Sequence, residues 1–227
     1  MRLRFVIIYF FISLVSNFSL AQWSDVQMGT NSYVHVLYVD TTSNLLFVGG
    51  QFTTAGGATR NSIATWDGVN WSTFGNNAFF SSPSAVLAIV NYNGSIVVGG
   101  QFEFIDSVRV NNIAKWNGVV WESIGNGFDG DVNDIIVYNG ELYACGTFAY
   151  SGADTVRTFA KWNGIKWERV SFLFGYGFSF TEYNGKLILG GGFTHGLNSS
   201  INNIMAWDGI QEDTTFSKLR STVFKVR

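Results

Sequence analysis

The sequence has little charge, almost no proline and a single cysteine. Only 13% of its 227 residues are charged, about half the share usual in soluble domains. Proline occurs once, and the lone cysteine, Cys145, excludes an internal disulfide framework. Long runs rich in Ala, Glu, Leu and Lys are missing, whereas Gly (26 residues) and aromatic residues (17%) are frequent. This composition favours β structure over helix.

Residues 1–21 have the layout of a secretory signal peptide. Two arginines precede a largely apolar stretch (5–15), and Ser19 and Ala21 supply the small residues of a cleavage site. A membrane anchor is the alternative, but the apolar stretch is shorter than the roughly 20 residues that span a bilayer. We therefore expect cleavage after Ala21, export to the cell surface or the medium, and no membrane span in the mature chain.

Loss of this segment makes the chain mildly acidic. It leaves 12 Lys and Arg against 16 Asp and Glu, a net charge of −4. A chain of this charge without basic clusters is not expected to bind nucleic acid.

The chain repeats itself about four times with a period of 45–50 residues. One tryptophan per repeat steps by 50, 46 and 45 residues, and one phenylalanine keeps the same steps. These markers are Trp66, Trp116, Trp162 and Trp207, and Phe52, Phe102, Phe148 and Phe193. A second Trp follows five residues after the first in three repeats. Two independent markers with one period identify an internal repeat.

Each repeat divides into four short runs typical of β-strands. In the second repeat these are residues 85–92 (a), 95–102 (b), 111–116 (c) and 119–125 (d). Asn-Gly or Asp-Gly separates a from b and c from d in most repeats, which predicts hairpins with type I′ turns. Run b is apolar on both faces, as in "SIVVGG", so it is expected to be buried on both sides. The prediction is an all-β fold: a β-propeller or partial propeller of about four four-stranded antiparallel blades.

The glycine pair that ends run b, the Trp of run c and the period together resemble the kelch and galactose-oxidase group of propellers. "NNIAKWNGVVWESIG" (111–125) is more closely similar to tandem repeats of secreted and surface proteins of bacteria, with a consensus near GGxF…NxIAxWDGxxWxxLG. The resemblance covers about residues 23–210 and implies mainly a scaffold or binding role. The repeated Gly, Phe and Trp positions are expected to form the core, with Gly49 and Gly50 admitting a neighbouring backbone or Trp ring.

The segments between b and c differ most among the repeats, and they share one end of the predicted blades with the d–a connections. Function concentrates on loops held by a rigid scaffold, so this loop face is the predicted binding surface for a protein or a glycan. Its candidate binding residues are Arg60, Asp106, Arg109, Asp154, Arg157 and His195.

Asp129, Asp131 and Asn133 present alternating oxygen ligands that resemble a calcium loop. The pattern is incomplete, because residue 134 is Asp rather than Gly and residue 140 is Gly rather than Glu. Calcium is therefore a weak candidate, and no other cofactor is expected.

Catalytic patterns are missing from the sequence. It has two histidines and no Ser-His-Asp set, zinc spacing or phosphate loop. We predict a secreted, non-enzymatic repeat protein without catalytic residues; the alternative is a carbohydrate-active propeller enzyme.

The two ends of the repeat region (22–210) allow two interpretations. Residues 22–29 resemble a strand d, and the pattern fades into an irregular tail over 211–227. The N-terminal strand could complete the last blade and close a ring of four. Alternatively, the chain is a truncated or frameshifted piece of a longer propeller. A third functional alternative is that such a fragment has no function of its own. An open arc would expose strand edges and invite pairing between copies.

Overall fold

The structure is a computed structural model that describes residues 26–75, 84–197 and 202–213, together with Val223. The predicted signal peptide and most of the tail lie outside these ranges. Regular structure within the described ranges is entirely β. No helix long and apolar enough to cross a membrane occurs in this part of the chain.

The strands recur in the same order in each repeat. The first repeat contains β1 (Val34–Asp40), β2 (Leu45–Gly50), β3 (Thr54–Ala55), β4 (Ala58–Thr59), β5 (Ile63–Trp66) and β6 (Trp71–Thr73). The second contains β7 (Ala85–Tyr92), β8 (Ser95–Gln101), β9 (Phe104–Ile105), β10 (Val108–Arg109), β11 (Ile113–Trp116) and β12 (Trp121–Ser123). The third contains β13 (Val132–Tyr138), β14 (Glu141–Gly146), β15 (Tyr150–Ser151), β16 (Asp154–Thr155), β17 (Phe159–Trp162) and β18 (Trp167–Arg169). The fourth contains β19 (Leu173–Tyr183), β20 (Lys186–His195), β21 (Asn202–Trp207) and β22 (Glu212–Asp213).

Each repeat forms one four-stranded antiparallel sheet, here called sheets 1 to 4. Their orders are β1-β2-β5-β6, β7-β8-β11-β12, β13-β14-β17-β18 and β19-β20-β21-β22. These strands correspond to the predicted runs a to d. An all-β fold of four-stranded sheets, consistent with a β-propeller or partial propeller, is therefore confirmed.

The variable segments between runs b and c are structured. In the first three repeats they form two-stranded hairpins, β3–β4, β9–β10 and β15–β16. The sequence predicts loops at these segments, because strands of two residues are too short to leave a periodic pattern.

The two classes of tight turn differ, although both carry Asn-Gly or Asp-Gly. In the a–b turns both residues have positive φ, as in Asn93 (51°) and Gly94 (80°), which agrees with the predicted type I′ conformation. In the c–d turns only the glycine has positive φ, for example Gly118 at 99°. The Asn117 side chain instead accepts hydrogen bonds from the N–H groups of Val119 and Val120, both at 2.9 Å. The type I′ prediction is therefore wrong for the c–d turns, where four residues separate the strands and an Asx turn forms.

Successive sheets pack face to face through three apolar clusters. The first glycine of the pair in β2 and β8 lets the next sheet approach. A Cβ placed on Gly49 would lie 2.7 Å from Val86 Cγ1, and one on Gly99 would lie 2.6 Å from Val132 Cγ1. The repeated Phe residues are all buried. The two glycines of the pair therefore make room for different groups. Gly50 makes room for the backbone of its own sheet, at Tyr33 O. Gly49 makes room for aliphatic side chains of the next sheet.

The third interface reverses this arrangement. Cys145 occupies the glycine position of β14, and Gly177 occupies the valine position of β19. A Cβ on Gly177 would lie 2.7 Å from Cys145 Cβ. At this interface the larger residue therefore lies in the preceding sheet and the glycine in the following sheet. Complete burial raises the pKa of the Cys145 thiol, which therefore stays protonated.

The first residues that the structure describes, from Val26 to Gly29, have the same turn as the connection between strand d of the second repeat and strand a of the third. Gly29 N–H donates to Val26 O (3.0 Å) as Gly127 N–H does to Ile124 O (3.2 Å). Trp71 Nε1 donates to the same Val26 oxygen, at 2.9 Å. Residues 22–25 of the predicted N-terminal strand lie outside the described ranges, and the part that follows bonds to the first repeat. In sheet 4 the fourth-strand position is filled by β22 of the same repeat.

The innermost strands of consecutive sheets pack on each other, β1 on β7, β7 on β13 and β13 on β19. Among the described strands, β19 and β1 do not pack in this way. Leu37 of β1 is consequently 63% exposed, whereas its counterparts Ile89, Ile135 and Phe180 are 6%, 5% and 6% exposed. The four described sheets therefore pack in series, and no sheet within the described ranges covers the Leu37 face of β1.

Candidate functional site

The predicted loop face contains a groove of about 480 Å³ between the second and third repeats. Strand β10, the connection after β12 and the β15–β16 hairpin form its walls. Its lining residues are Arg109, Asn111, Ser123, Gly125, Asn126, Phe128, Asp129 and Gly152. Its volume falls within the range typical of small-molecule sites.

Arg109 is the cation of the groove. Its side chain is 64% exposed and pairs with Glu103, with Nη2 2.6 Å from Oε1. Nε also donates to Asn111 Oδ1 at 2.9 Å, and the guanidinium lies 5.9 Å from the ring centroid of Phe104. The other two hairpins carry threonine at this position, Thr59 and Thr155. Arg109 thus distinguishes this groove from the equivalent places in the other repeats.

Asp129 is the anion of the groove and also holds the third hairpin. Its Oδ1 accepts hydrogen bonds from the N–H groups of Ala149 (2.8 Å) and Tyr150 (2.7 Å). Asn31 makes the same pair of bonds in the first repeat, to Thr53 and Thr54. The second oxygen of Asp129 makes no hydrogen bond with a residue that the structure describes. One carboxylate oxygen therefore has a structural role, and the other is available to a ligand.

Amides and an aromatic floor complete the groove. Asn111 Nδ2 donates to Asn126 O at 2.8 Å, which ties β10 to the connection after β12. Phe128 is buried and stacks on Phe148, with ring centroids 4.1 Å apart. The groove therefore offers a cationic donor (Arg109), an anionic acceptor (Asp129) and two amide side chains above the packed ring of Phe128. Its described lining contains no histidine or cysteine and a single carboxylate.

Two other predicted binding residues on the hairpins lie outside the groove lining. Asp106 is exposed in the turn between β9 and β10, with φ 54°. Asp154 is exposed on β16 and pairs with Lys166 Nζ at 3.2 Å. Because Lys166 belongs to the third c–d turn, this ion pair places the Asp154 carboxylate beside the start of β18 and not at the predicted loop face.

Arg60 and Arg157 are occupied by contacts within the protein. Arg60 donates from Nη2 to Trp71 O at 2.8 Å and from Nη1 to Ala55 O, which fastens the first hairpin to β6. Arg157 has φ 28°, and its guanidinium lies 5.3 Å from the ring centroid of Phe174. Neither lines the groove.

His195 is largely buried, with 6% of its side chain exposed. Its Nδ1 accepts a hydrogen bond from Leu197 N–H (3.1 Å), so Nε2 carries the proton and donates to Glu212 at 3.0–3.1 Å. Ser171 Oγ donates to the same carboxylate. This arrangement holds β22 in sheet 4. It is not a nucleophile–base pair, because the serine bonds to Glu212 rather than to the imidazole.

The three calcium candidates bond to three different segments. Asp129 binds the backbone of β15, Asp131 accepts from Gln101 Nε2 (3.2 Å), and Asn133 Nδ2 donates to Gly177 O (2.7 Å). Burial raises the pKa of Asp131. Within the described ranges, no three His, Cys, Asp or Glu side chains form a group suited to a metal ion.

Comparison with known families supports the architecture alone. No curated protein matches this sequence. A family described as a domain of unknown function (DUF5122) β-propeller matches residues 93–117, the segment from the a–b turn to strand β11 of the second repeat. Together with the four-stranded sheets, this match supports a β-propeller repeat architecture, complete or partial.

Proposed function

We propose that this protein is an exported, non-enzymatic scaffold that binds a hydroxyl-rich ligand, such as a glycan chain, in the groove between its second and third repeats. The observation that carries the proposal is the presence of Arg109, Asp129 and two amides around one aromatic floor. Charged and amide groups of this kind form paired hydrogen bonds with vicinal hydroxyls, and bonds to charged groups are the stronger ones.

Export and the finer family resemblance belong to the same proposal. The layout of residues 1–21 supports passage through a secretory pathway. The likeness to kelch-type and bacterial surface repeats supports a binding role at a cell surface, where a protein partner displaying glycans is accessible. The described groove lining holds one carboxylate, Asp129, whereas glycoside hydrolysis ordinarily uses a pair, which supports binding without turnover.

The test is a glycan array probed with the fluorescently labelled protein, followed by calorimetric titration of the best soluble oligosaccharide. Two variants copy residues from other repeats: Arg109→Thr imitates Thr59 and Thr155, and Asp129→Asn keeps the backbone bonds that Asn31 makes. Each removes a charged hydrogen-bonding group, so we expect each to weaken binding by about tenfold. Glu182→Gln, an exposed carboxylate at the other end of the blades, is the matched control.

Absence of any array signal, or unchanged affinity in both groove variants, would contradict the proposal. Incubation of the bound oligosaccharide with the protein, followed by chromatography, separates binding from hydrolysis. Release of shorter sugars would favour the carbohydrate-active enzyme instead.

A further inference from the structure

The loop face carries exposed aromatic rings at the interface between the third and fourth repeats. Strands β19 and β20 pair out to Leu173 and His195, so both are longer than their counterparts in the other repeats. Three aromatic side chains lie at alternate positions of this segment: Phe172, Phe174 and Tyr176, each 43–53% exposed. Groups of exposed apolar side chains are typical of binding surfaces.

Two arginines contact these rings. Arg169 Cζ lies 3.6 Å from the ring centroid of Phe172, and Arg157 Cζ lies 5.3 Å from that of Phe174. Neither guanidinium makes a hydrogen bond or an ion pair with a residue that the structure describes. The Glu212 carboxylate, which bonds to the residue preceding Phe172, pairs with neither. A guanidinium stacked on a ring keeps its N–H donors at the edge of its plane, where an oxyanion can accept two of them.

These two arginines and three aromatic residues are here called the arginine–aromatic platform. Its arginines stand at positions that line the groove at the preceding interface. The strand registers put Arg157 at the position of Asn111 and Arg169 at that of Ser123. Successive interfaces thus present different side chains on the same part of the scaffold.

The carboxylates near the groove have no counterpart at the platform. Phe174 stands at the position of Asp129, and Ala149 stands at that of Glu103, the partner of Arg109. The position of Arg109 itself is threonine in the third hairpin. These five positions carry one arginine and two acids at the groove, a net charge of −1, but two arginines and no acid at the platform, a net charge of +2. The platform is therefore complementary to an anion.

We propose that the arginine–aromatic platform binds an acidic glycan. Uronate carboxylates accept hydrogen bonds from the two guanidinium groups, and the C–H faces of the sugar rings pack on the exposed aromatic rings, whose faces are electron-rich. The choice of a glycan rests on the function proposed above, and the requirement for acid groups follows from the charge of the platform. A chain of acidic amino acids offers the same charges without the flat apolar faces that match the rings.

The experiment is calorimetric titration of the purified protein with a hexamer of galacturonic acid. Its methyl ester has the same sugar rings without charge, and poly-glutamate has the charge without sugar rings. We expect the acid to bind about tenfold more tightly than the ester at low salt, since exposed ion pairs contribute up to about fivefold each. The difference should shrink in about 0.5 M salt, which screens exposed charges. Poly-glutamate should bind more weakly than the hexamer.

Variants that copy the second repeat test the two arginines. Arg157→Asn and Arg169→Ser should each lower the affinity for the acid about threefold and leave that for the ester unchanged. Both should fold, because Arg169 is exposed and Arg157 has φ 28° where Asn111 has 50°, a conformation that asparagine adopts more readily. Lys115→Gln removes an exposed cation at the other end of the blades and is the control for total charge.

A third copied residue reverses the charge of the platform. Phe174→Asp supplies the carboxylate that the groove has at this position, and it removes one ring. The acid and the ester should then bind equally weakly, because the new carboxylate pairs with the arginines and repels the ligand. Thermal melts establish that each variant is folded.

The inference would be overturned by no binding of the acid at millimolar concentration, by equal binding of acid and ester, by poly-glutamate binding as tightly as the hexamer, or by unchanged affinity in the folded Arg157→Asn, Arg169→Ser double variant. Sugar binding that depends on Arg109 and Asp129 alone would overturn it and leave the proposed groove intact. A preference for the acid that depends on Arg157 and Arg169 alone would support it and contradict the groove.

Discussion

Single residues decide how closely neighbouring sheets approach. At the first two interfaces a valine of one sheet fills the space above a glycine of the preceding sheet, Val86 above Gly49 and Val132 above Gly99. At the third interface Cys145 and Gly177 have the opposite assignment. The pair of residues, rather than either one, sets the spacing between sheets.

This reciprocity can be measured with a swap. Gly177→Val alone should destabilise the protein by about 1–3 kcal/mol, because the added methyl groups overlap Cys145. Adding Cys145→Gly restores the arrangement of the first two interfaces and should recover part of that loss. Recovery remains partial because Thr158 O also lies 3.0 Å from a Cβ at this position. Urea unfolding of the parent, both single variants and the double variant measures the coupling. Additive losses would show that the two positions are independent.

At the scale of elements, β22 depends on side chains that the other fourth strands do not use. Trp207 faces Glu212 in sheet 4, whereas Trp116 faces Trp121 and Trp162 faces Trp167 in sheets 2 and 3. The carboxylate of Glu212 replaces aromatic packing with hydrogen bonds to His195 and Ser171, both largely buried.

Glu212→Ala should therefore cost about 1–3 kcal/mol, since it leaves a buried imidazole N–H and a hydroxyl without their acceptor. Hydrogen exchange at the β21–β22 pairing should accelerate before exchange in β20. Glu212→Gln retains an acceptor and serves as the control. If Glu212→Ala exchanged and unfolded like the parent, β22 would be held by other contacts.

At the scale of the whole molecule, the face of β1 around Leu37 is not packed against another sheet of the described chain. The faces equivalent to the Leu37 face are covered in sheets 2, 3 and 4 by the preceding sheet, so this face is shaped for another sheet of the same kind. A second copy of the chain supplies such a sheet, and we expect concentration-dependent self-association through β1.

Light scattering coupled to size exclusion tests this expectation. Leu37→Lys should shift the population towards monomer, because it places a charge in the packed face. Leu197→Lys changes another exposed leucine outside β1 (78% exposed, against 63% for Leu37) and should leave the oligomer unchanged. A monomeric parent at all concentrations would contradict the expectation.

Much of the architecture was predictable from the sequence, because period, Asn-Gly turns and apolar b strands are local patterns. The functional details were not. Arg109 is a predicted binding residue. The groove around it was not predictable, because it depends on an arginine at a position where the other hairpins have threonine, and on the connection after β12. His195 is a predicted loop-face residue because it lies in a variable segment, yet its side chain is 6% exposed and bonds to Glu212, which stands where three repeats have a second Trp.

The exchange between Cys145 and Gly177 has a further consequence for how this array can be built. Tandem repeats are often treated as interchangeable modules that can be duplicated, deleted or reordered. Suppose that the third repeat were duplicated in tandem. Val132 of the added copy would then face Cys145 of the original copy instead of a glycine. Removing the third repeat would set Gly99 against Gly177 and leave a void. The third repeat therefore specifies its successor, because Cys145 accepts a sheet with glycine at the position of Gly177 but not one with valine.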